Sequence, residues 1–271
     1  MGGQWTPRDG GKGGKGGKGA KGKGKAFGKG KDLTGVSKRL TWLLRHGAAE
    51  AGLTMDSEGW VAVEDTLRFD DLRGSSLEQI QEIVRTCPKK RFDLKERSPS
   101  AWFIRATQGH SITEVGDTGH TAIRSAEELG HKEVVHGTFL PAWLQIKDDG
   151  LRSMSRNHIH LCCGLPGTGV ISGMREHADV AIYVDVDYAI EQGIQLVQSL
   201  NGVVLTAGEQ GSGGLLPTRF FSKVEWLGPP RILLYNSEKG DHTEEVRRKC
   251  PELERALKKV EETGGSWQAR Q

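Results

Sequence analysis

The second half of this chain is cut into short apolar runs. Residues 134–136, 159–161, 180–186, 203–206 and 220–227 are each of strand length and lie next to turn-forming residues. Few helix-period patterns separate them. One follows Pro141, which suits the first turn of a short helix ending before Gly150. A doubly wound parallel sheet needs a helix in nearly every gap, so the pattern excludes it. The expected class is α+β, with a split-sheet arrangement in this half.

The first half reads differently. Val36, Leu40, Leu43 and Leu44 recur at helical spacing, and Gly47 ends the pattern. A second short helix is expected over 63–67. Ser75-Ser76-Leu77-Glu78 reads as a capping box that opens the stripe Leu77, Ile80, Val84 and Cys87, which Pro88 stops. Residues 91–94 and 102–106 read as strands joined by a turn-rich segment over 95–100. Three helices and a hairpin predict a winged-helix-like lobe over 33–112. The polar, glycine-containing stretch 113–132 reads as a linker, and 133–235 as the second lobe. Residues 236–271 read as a charged helix interrupted by Pro251, followed by a frayed tail.

Charge is unevenly spread. Residues 1–31 carry eight lysines and Arg8 against Asp9 alone, a net of +8 in a chain whose total is +3, leaving about −5 on the remainder. This glycine/lysine arm, 1–32, has too little apolar surface to offset chain entropy and is expected to be disordered. It fits either an RNA-attracting arm acting through phosphate charge or a solubilising tail. Cys87, Cys162, Cys163 and Cys250 show no C-x-x-C spacing and no disulfide framework. The chain therefore reads as reduced and intracellular, cytoplasmic and/or nuclear. No apolar run approaches 18 residues, so no membrane partner is expected. The start Met1-Gly2-Gly3-Gln4-Trp5-Thr6 loosely fits a myristoylation pattern, and Pro7 counts against it.

Residues 134–161 place His136, Arg156, His158 and His160 among apolar neighbours. His158 and His160 are two apart and would share one side of a strand. Cations and imidazoles without a carboxylate suit an anionic ligand, phosphate foremost. Arg45-His46 lies at a helix end, where a cation also suits the dipole as a plain C-terminal pair. Lys89-Lys90-Arg91-Phe92 reads equally as a solvated turn, and Thr107-Gln108-Gly109-His110-Ser111 ends the hairpin. The 164–169 glycine segment lacks the order of a P-loop or dinucleotide fingerprint. His158, His160, Cys162 and Cys163 invite a metal reading, but no carboxylate is placed as ligand or base, so no metal is expected. Glu209 reads as a loop carboxylate.

In order along 33–227 the chain carries Ser37-Lys38-Arg39-Leu40, Leu44-Arg45-His46-Gly47, Asp56-Ser57-Glu58-Gly59-Trp60, Arg91-Phe92 and Ala106-Thr107-Gln108-Gly109-His110-Ser111. His136-Gly137-Thr138, Met154-Ser155-Arg156-Asn157-His158-Ile159-His160-Leu161 and Val170-Ile171-Ser172-Gly173-Met174-Arg175 follow. This ordered set resembles the tRNA 2′-phosphotransferases, enzymes that use NAD to remove the splice-junction 2′-phosphate. The resemblance implies a winged-helix lobe followed by an ADP-ribosyltransferase-like lobe. It also implies a catalytic tetrad on Arg45, His46, Arg91 and Arg156. NAD, as co-substrate, is expected against Gln108, Gly109, His110, Ser111, His136, Gly137, Thr138, His158 and His160. Where protein ADP-ribosyltransferases carry a catalytic Glu, this family has an apolar residue, expected here at Val204.

The reaction implied has two steps. The RNA 2′-phosphate displaces nicotinamide, and a ribose hydroxyl then attacks the new phosphodiester. The products are 2′-OH RNA, nicotinamide and ADP-ribose 1″,2″-cyclic phosphate. The expected partner is tRNA or other RNA bearing an internal 2′-phosphate, bound by a monomer. Competing readings are an ADP-ribosyltransferase acting on other phosphorylated nucleic-acid or protein acceptors, a noncatalytic RNA or ADP-ribose binding module, and a metal phosphoesterase. A protein ADP-ribosyltransferase would need the absent Glu, a binding module leaves three arginines and a histidine unexplained, and a phosphoesterase needs a metal.

Overall fold

A computed structural model describes residues 33–116, 118–165, 174 and 177–263. The arm over 1–32, most of the 164–169 loop and 170–175 motif, and the tail from 264 lie outside the described residues. Helix α1 (Leu33–Trp42) runs into a π-helical turn, Leu43–Gly47. Strand β1 (Val61–Ala62), α2 (Val63–Arg68), α3 (Leu77–Thr86), β2 (Phe92–Ser98) and β3 (Ala101–Ala106) follow. The strands form an antiparallel sheet in the order β1-β3-β2, with Val61 opposite Ile104 and Phe92 opposite Ala106. Leu40, Leu43, Leu44, Ile80 and Ile104 are fully buried in one apolar cluster on this sheet. The apolar spacing of α1 and α3 thus becomes one packed face.

Two local readings change. The hairpin is longer than the sequence suggested. Strand β2 continues through Ser98, and the turn is confined to Pro99-Ser100, with Ser100 at φ 65°. Polar residues such as Lys95 and Glu96 sit in a strand because only one face of it needs to be buried. The α3 capping box is Ser76 with Gln79, one residue later than expected: the Ser76 hydroxyl accepts from the Gln79 N–H, and Gln79 Oε1 accepts from the Ser76 N–H. Ser75 Oγ is left buried without a partner.

The rest of the chain supplies β4 (Thr121–Ile123), β5 (Val134–Thr138), α4 (Leu140–Asp149), β6 (Leu151–Arg152), β7 (Ile159–Cys163), β8 (Val180–Val184), α5 (Val186–Glu191), β9 (Leu196–Gln198) and β10 (Val204–Thr206). It ends with β11 (Leu215–Leu216), β12 (Phe221–Trp226), β13 (Ile232–Asn236), β14 (Gly240–Asp241), α6 (Thr243–Arg247) and α7 (Pro251–Glu262). Among the described residues, nine strands form one sheet in the order β14-β13-β12-β8-β5-β7-β10-β9-β4, and every pairing is antiparallel. With the helices this is a mixed α+β architecture. Pro141 sits in the first turn of α4, and Gly150 follows its end.

The stretch 113–132, expected as a linker, contributes β4, the edge strand that pairs with β9. Its polarity reflects that edge position, where Thr121 and Ala122 are exposed and only Ile123 is buried. The C-terminal segment is likewise no loose appendage. Pro251 starts α7 rather than interrupting a longer helix, and Leu253 and Leu257 are buried in the large core with Trp143. The Trp143 indole N–H donates to Thr243 Oγ1 at 3.1 Å, satisfying its polar end inside that core. No helix among the described residues is long and apolar enough to cross a membrane.

Candidate active site

Arg45 and His46 sit in the π-helical turn, and this local widening fixes where they point. Leu43, Leu44 and Gly47 of the turn are buried. A side chain at 47 would collide with the Trp42 ring, so only glycine fits. Such turns are rare and are found mostly at functional sites. The Arg45 guanidinium is 9% exposed, and the backbone of Gly109 lies flat against it. Gly109 has φ +88°, and a Cβ there would stand 3.2 Å from Arg45 Cζ. The Arg45 carbonyl accepts from the Ser111 N–H at 3.0 Å, and His46 Nδ1 lies 2.9 Å from Ser111 Oγ. The turn and the Gln108–Ser111 segment are therefore one unit.

Arg91 and Arg156 come from distant parts of the chain. Arg91 enters β2, and its carbonyl accepts from the Thr107 N–H at 3.0 Å. Its Nη1 lies 3.7 Å from Cys87 Sγ. Arg156 lies in the loop between β6 and β7. That loop is tied across by Asn157, whose backbone N–H donates to the His110 carbonyl and whose Nδ2 donates to the Ile112 carbonyl, both at 2.9 Å. The three guanidiniums feel one another. Burial, then Arg156, then Arg91, push the Arg45 pKa down to about 10, and no carboxylate opposes them. Arg45 is still charged at neutral pH, and among the described residues it is the Cys87 thiol, not a carboxylate, that acts against the shift. Burial, with Arg45 and Arg156, also pushes His46 below its ordinary value and favours the neutral ring.

The other imidazoles form a neutral wall beside these cations. His110 is buried, its Nε2 has no partner, and burial followed by Arg45, His120, His46 and His158 pushes its pKa down to about 4. His160 is pushed well below its ordinary value, chiefly by burial. Its Nδ1–H donates to the His158 carbonyl at 3.0 Å, and its Nε2 lies 2.6 Å from the Gln108 side-chain amide. Gln108 Oε1 is the atom placed against Nε2; a neutral ring with Nδ1–H committed can only accept there, which calls for the amide turned over so that its NH₂ donates.

The sheet parts at this point. Pairing of β5 with β7 stops after Val135 and Cys162, and His136 Nδ1 donates to the His160 carbonyl at 2.9 Å beyond it. Gly137 lies under Met174, where any Cβ would collide, and Thr138 is buried at the end of β5.

The site residues expected from sequence thus fall into one region, with qualifications. His158 precedes β7 instead of lying on it, so the same-face argument does not apply: His160 meets Gln108, while His158 meets the edge of His120 with ring centroids 6.0 Å apart. Val204 points into the core opposite Leu161. Leu205, opposite His160, is the apolar residue on the site side of β10, because successive strand residues alternate faces. Cys162 places its thiol against the Val135 and Gly164 carbonyls, and burial pushes its pKa up to about 12. Glu209 pairs with Arg219.

Sequence reasoning missed His120 and Thr118. His120 Nε2 lies 2.6 Å from the buried Thr118 Oγ1, in the segment that reads as polar linker. No spacing signal could have drawn either one to the site.

The profile of the RNA 2′-phosphotransferase, Tpt1 / KptA family matches residues 31–208. The chain is 41% identical over 196 residues to "tRNA 2'-phosphotransferase 1" of Danio rerio, covering 72% of this chain and 86% of that protein. It is 38% identical over 229 residues to the Homo sapiens protein of the same name, covering 84% and 88%. "tRNA 2'-phosphotransferase" of Saccharomyces cerevisiae is 36% identical over 196 residues, covering 70% and 82%. With its motifs in family order and the match running from α1 through β10, this chain belongs to the RNA 2'-phosphotransferase, Tpt1 / KptA family.

Proposed function

We propose that this chain removes the 2′-phosphate from tRNA, or from other RNA with an internal 2′-phosphate, in an NAD-dependent reaction. The products would be 2′-OH RNA, nicotinamide and ADP-ribose 1″,2″-cyclic phosphate. In this reading residues 33–112 are a winged-helix-like lobe, 133–235 an ADP-ribosyltransferase-like lobe, and the enzyme acts as a monomer inside the cell. The observation that carries it is the convergence of Arg91 and Arg156 on the buried Arg45 beside His46, with no carboxylate among the described residues set against the charge on Arg45. Such a site is costly when empty and complementary to a phosphate monoester, which carries about −1.5 to −2 at pH 7.

The neighbouring donor set suits a dinucleotide. Gly109 makes room for Arg45 and Gly137 for Met174, and His110 Nε2 is buried and unsatisfied. Gln108, Ser111, His136, Thr138, His158 and His160 complete the binding surface. Bound NAD supplies an electrophilic ribose carbon and, later, a ribose hydroxyl.

The chain's own residues do the rest. The phosphate nucleophile is already anionic, so the first attack needs orientation by the arginines and no base. The second step moves a proton from a hydroxyl, which suits the neutral ring of His46, anchored at Nδ1 by Ser111. Charge building on the phosphoryl oxygens is met by the three guanidiniums.

The test is an RNA oligonucleotide with one internal 2′-phosphate, incubated with and without NAD. Phosphate loss and nicotinamide release should appear together, only with NAD, and should survive EDTA. Release of inorganic phosphate without NAD would overturn the reading.

A further inference from the structure

A groove lies between α1 and α3, next to the site. It has a volume of about 470 Å³, and among its walls are Ser37, Lys38, Thr41, Ile83, Thr86 and Arg91. Among the described residues, no Asp or Glu lines it. Its size falls in the range of about 300–1,000 Å³ usual for ligand sites, and it is a partly open groove, not an enclosed cavity.

Three side chains supply donors there. Lys38 is exposed and makes no ion pair among the described residues. The Ser37 hydroxyl is half-buried, and Arg91 leans over the Cys87 wall. The Thr41 and Thr86 hydroxyls already donate to the Ser37 and Glu82 carbonyls, both at 2.7 Å, so they face the groove as acceptors. Permanent cations with hydroxyl donors hold phosphodiester oxygens, and hydroxyl acceptors suit the ribose 2′-OH that marks RNA.

Arg91 belongs to both places. It is a wall of this groove and one of the two arginines whose charge reaches Arg45. An internal 2′-phosphate sits on a chain that must leave the site in both directions, and the groove begins where the site ends. Resting on the proposed function, we infer that the α1–α3 groove holds the RNA backbone immediately flanking the 2′-phosphorylated nucleotide. Lys38 and Ser37 take a flanking phosphodiester there, and Arg91 bridges the flank and the reacting phosphate.

Two measurements test this separately from the activity. In the first, a plain single-stranded RNA without a 2′-phosphate is titrated by fluorescence anisotropy against the wild-type protein, Lys38→Glu and Lys259→Glu. Lys259 is exposed on α7, which packs on the other core, so its charge reversal is the control. Lys38→Glu should weaken binding roughly tenfold and reduce the salt slope by about 0.7, while Lys259→Glu matches wild type. Equal losses in both variants, or none in either, would overturn the groove.

In the second, kcat/KM is compared on an oligonucleotide and on a minimal substrate with no flanking nucleotides. Lys38→Glu should lower the oligonucleotide-to-minimal ratio, mainly through KM. An unchanged ratio overturns the proposal. If the wild-type protein processes neither substrate, the proposed function fails, whereas the anisotropy result still decides the groove.

Discussion

His110 is a buried imidazole with no partner for Nε2, and it gives the protein a measurable acid sensitivity. Its pKa is about 4 in the fold, against about 6.5 in an unfolded chain. Between those values the unfolded state binds a proton that the native state refuses, so acid favours unfolding. The contribution is fully present above about pH 6.5 and is lost as pH falls toward 4, a span worth about 3 kcal/mol. His46, His158 and His160, also depressed, act in the same direction. Urea denaturation at pH 7 and pH 4.5 should show a large fall in stability for the wild type and a clearly smaller fall for His110→Gln. Equal falls in both proteins would mean that His110 is not the group refusing the proton.

At the scale of elements, the site is assembled from three pieces that are each ordinary alone. A π-helical turn brings Arg45 and His46, the entry to β2 brings Arg91, and the loop before β7 brings Arg156. The roles proposed for these residues separate the two chemical steps. Orientation serves both, but stabilising phosphoryl charge serves the second, and one preorganised donor is typically worth about 10²–10³ in rate. Arg91→Ala and Arg156→Ala should therefore slow the second step more than the first, and ADP-ribosylated RNA should accumulate. Arg152→Ala, on the exposed side of β6, should trap nothing. A time course resolving substrate, intermediate and product on labelled RNA reads this out. If both variants stall before any intermediate appears, the arginines act in binding or in the first attack.

On the scale of the whole molecule, charge and chemistry are divided along the chain. Residues 1–31 carry the net +8 but none of the family motifs, which start at Ser37. Deleting residues 1–32 should leave turnover on a short, saturating substrate nearly unchanged. It should weaken nonspecific RNA binding at low salt, with the difference fading as salt rises. A large fall in kcat at saturation would place part of the catalytic machinery in the arm.

The sequence by itself determined what local information can carry. The 3.6-residue spacing of Val36 and Leu40 marked α1, Pro141 and Gly150 bracketed α4, and the apolar runs marked β5, β7, β8, β10 and β12 but not β4, β9, β13 or β14 of the large sheet. The ordered motifs identified the family. What only the tertiary structure decided depends on which strands become neighbours and in what register. Strand β10 pairs with β7 so that Leu205, not Val204, faces His160. A polar stretch became edge strand β4, and the segment leading into it brought Thr118 and His120 to the site. Arg45, Arg91 and Arg156 converge although each stands more than forty residues from the next, and no local period encodes that approach. Side-chain spacing reports which face of its own element a residue occupies. Sheet order and packing decide what that face meets.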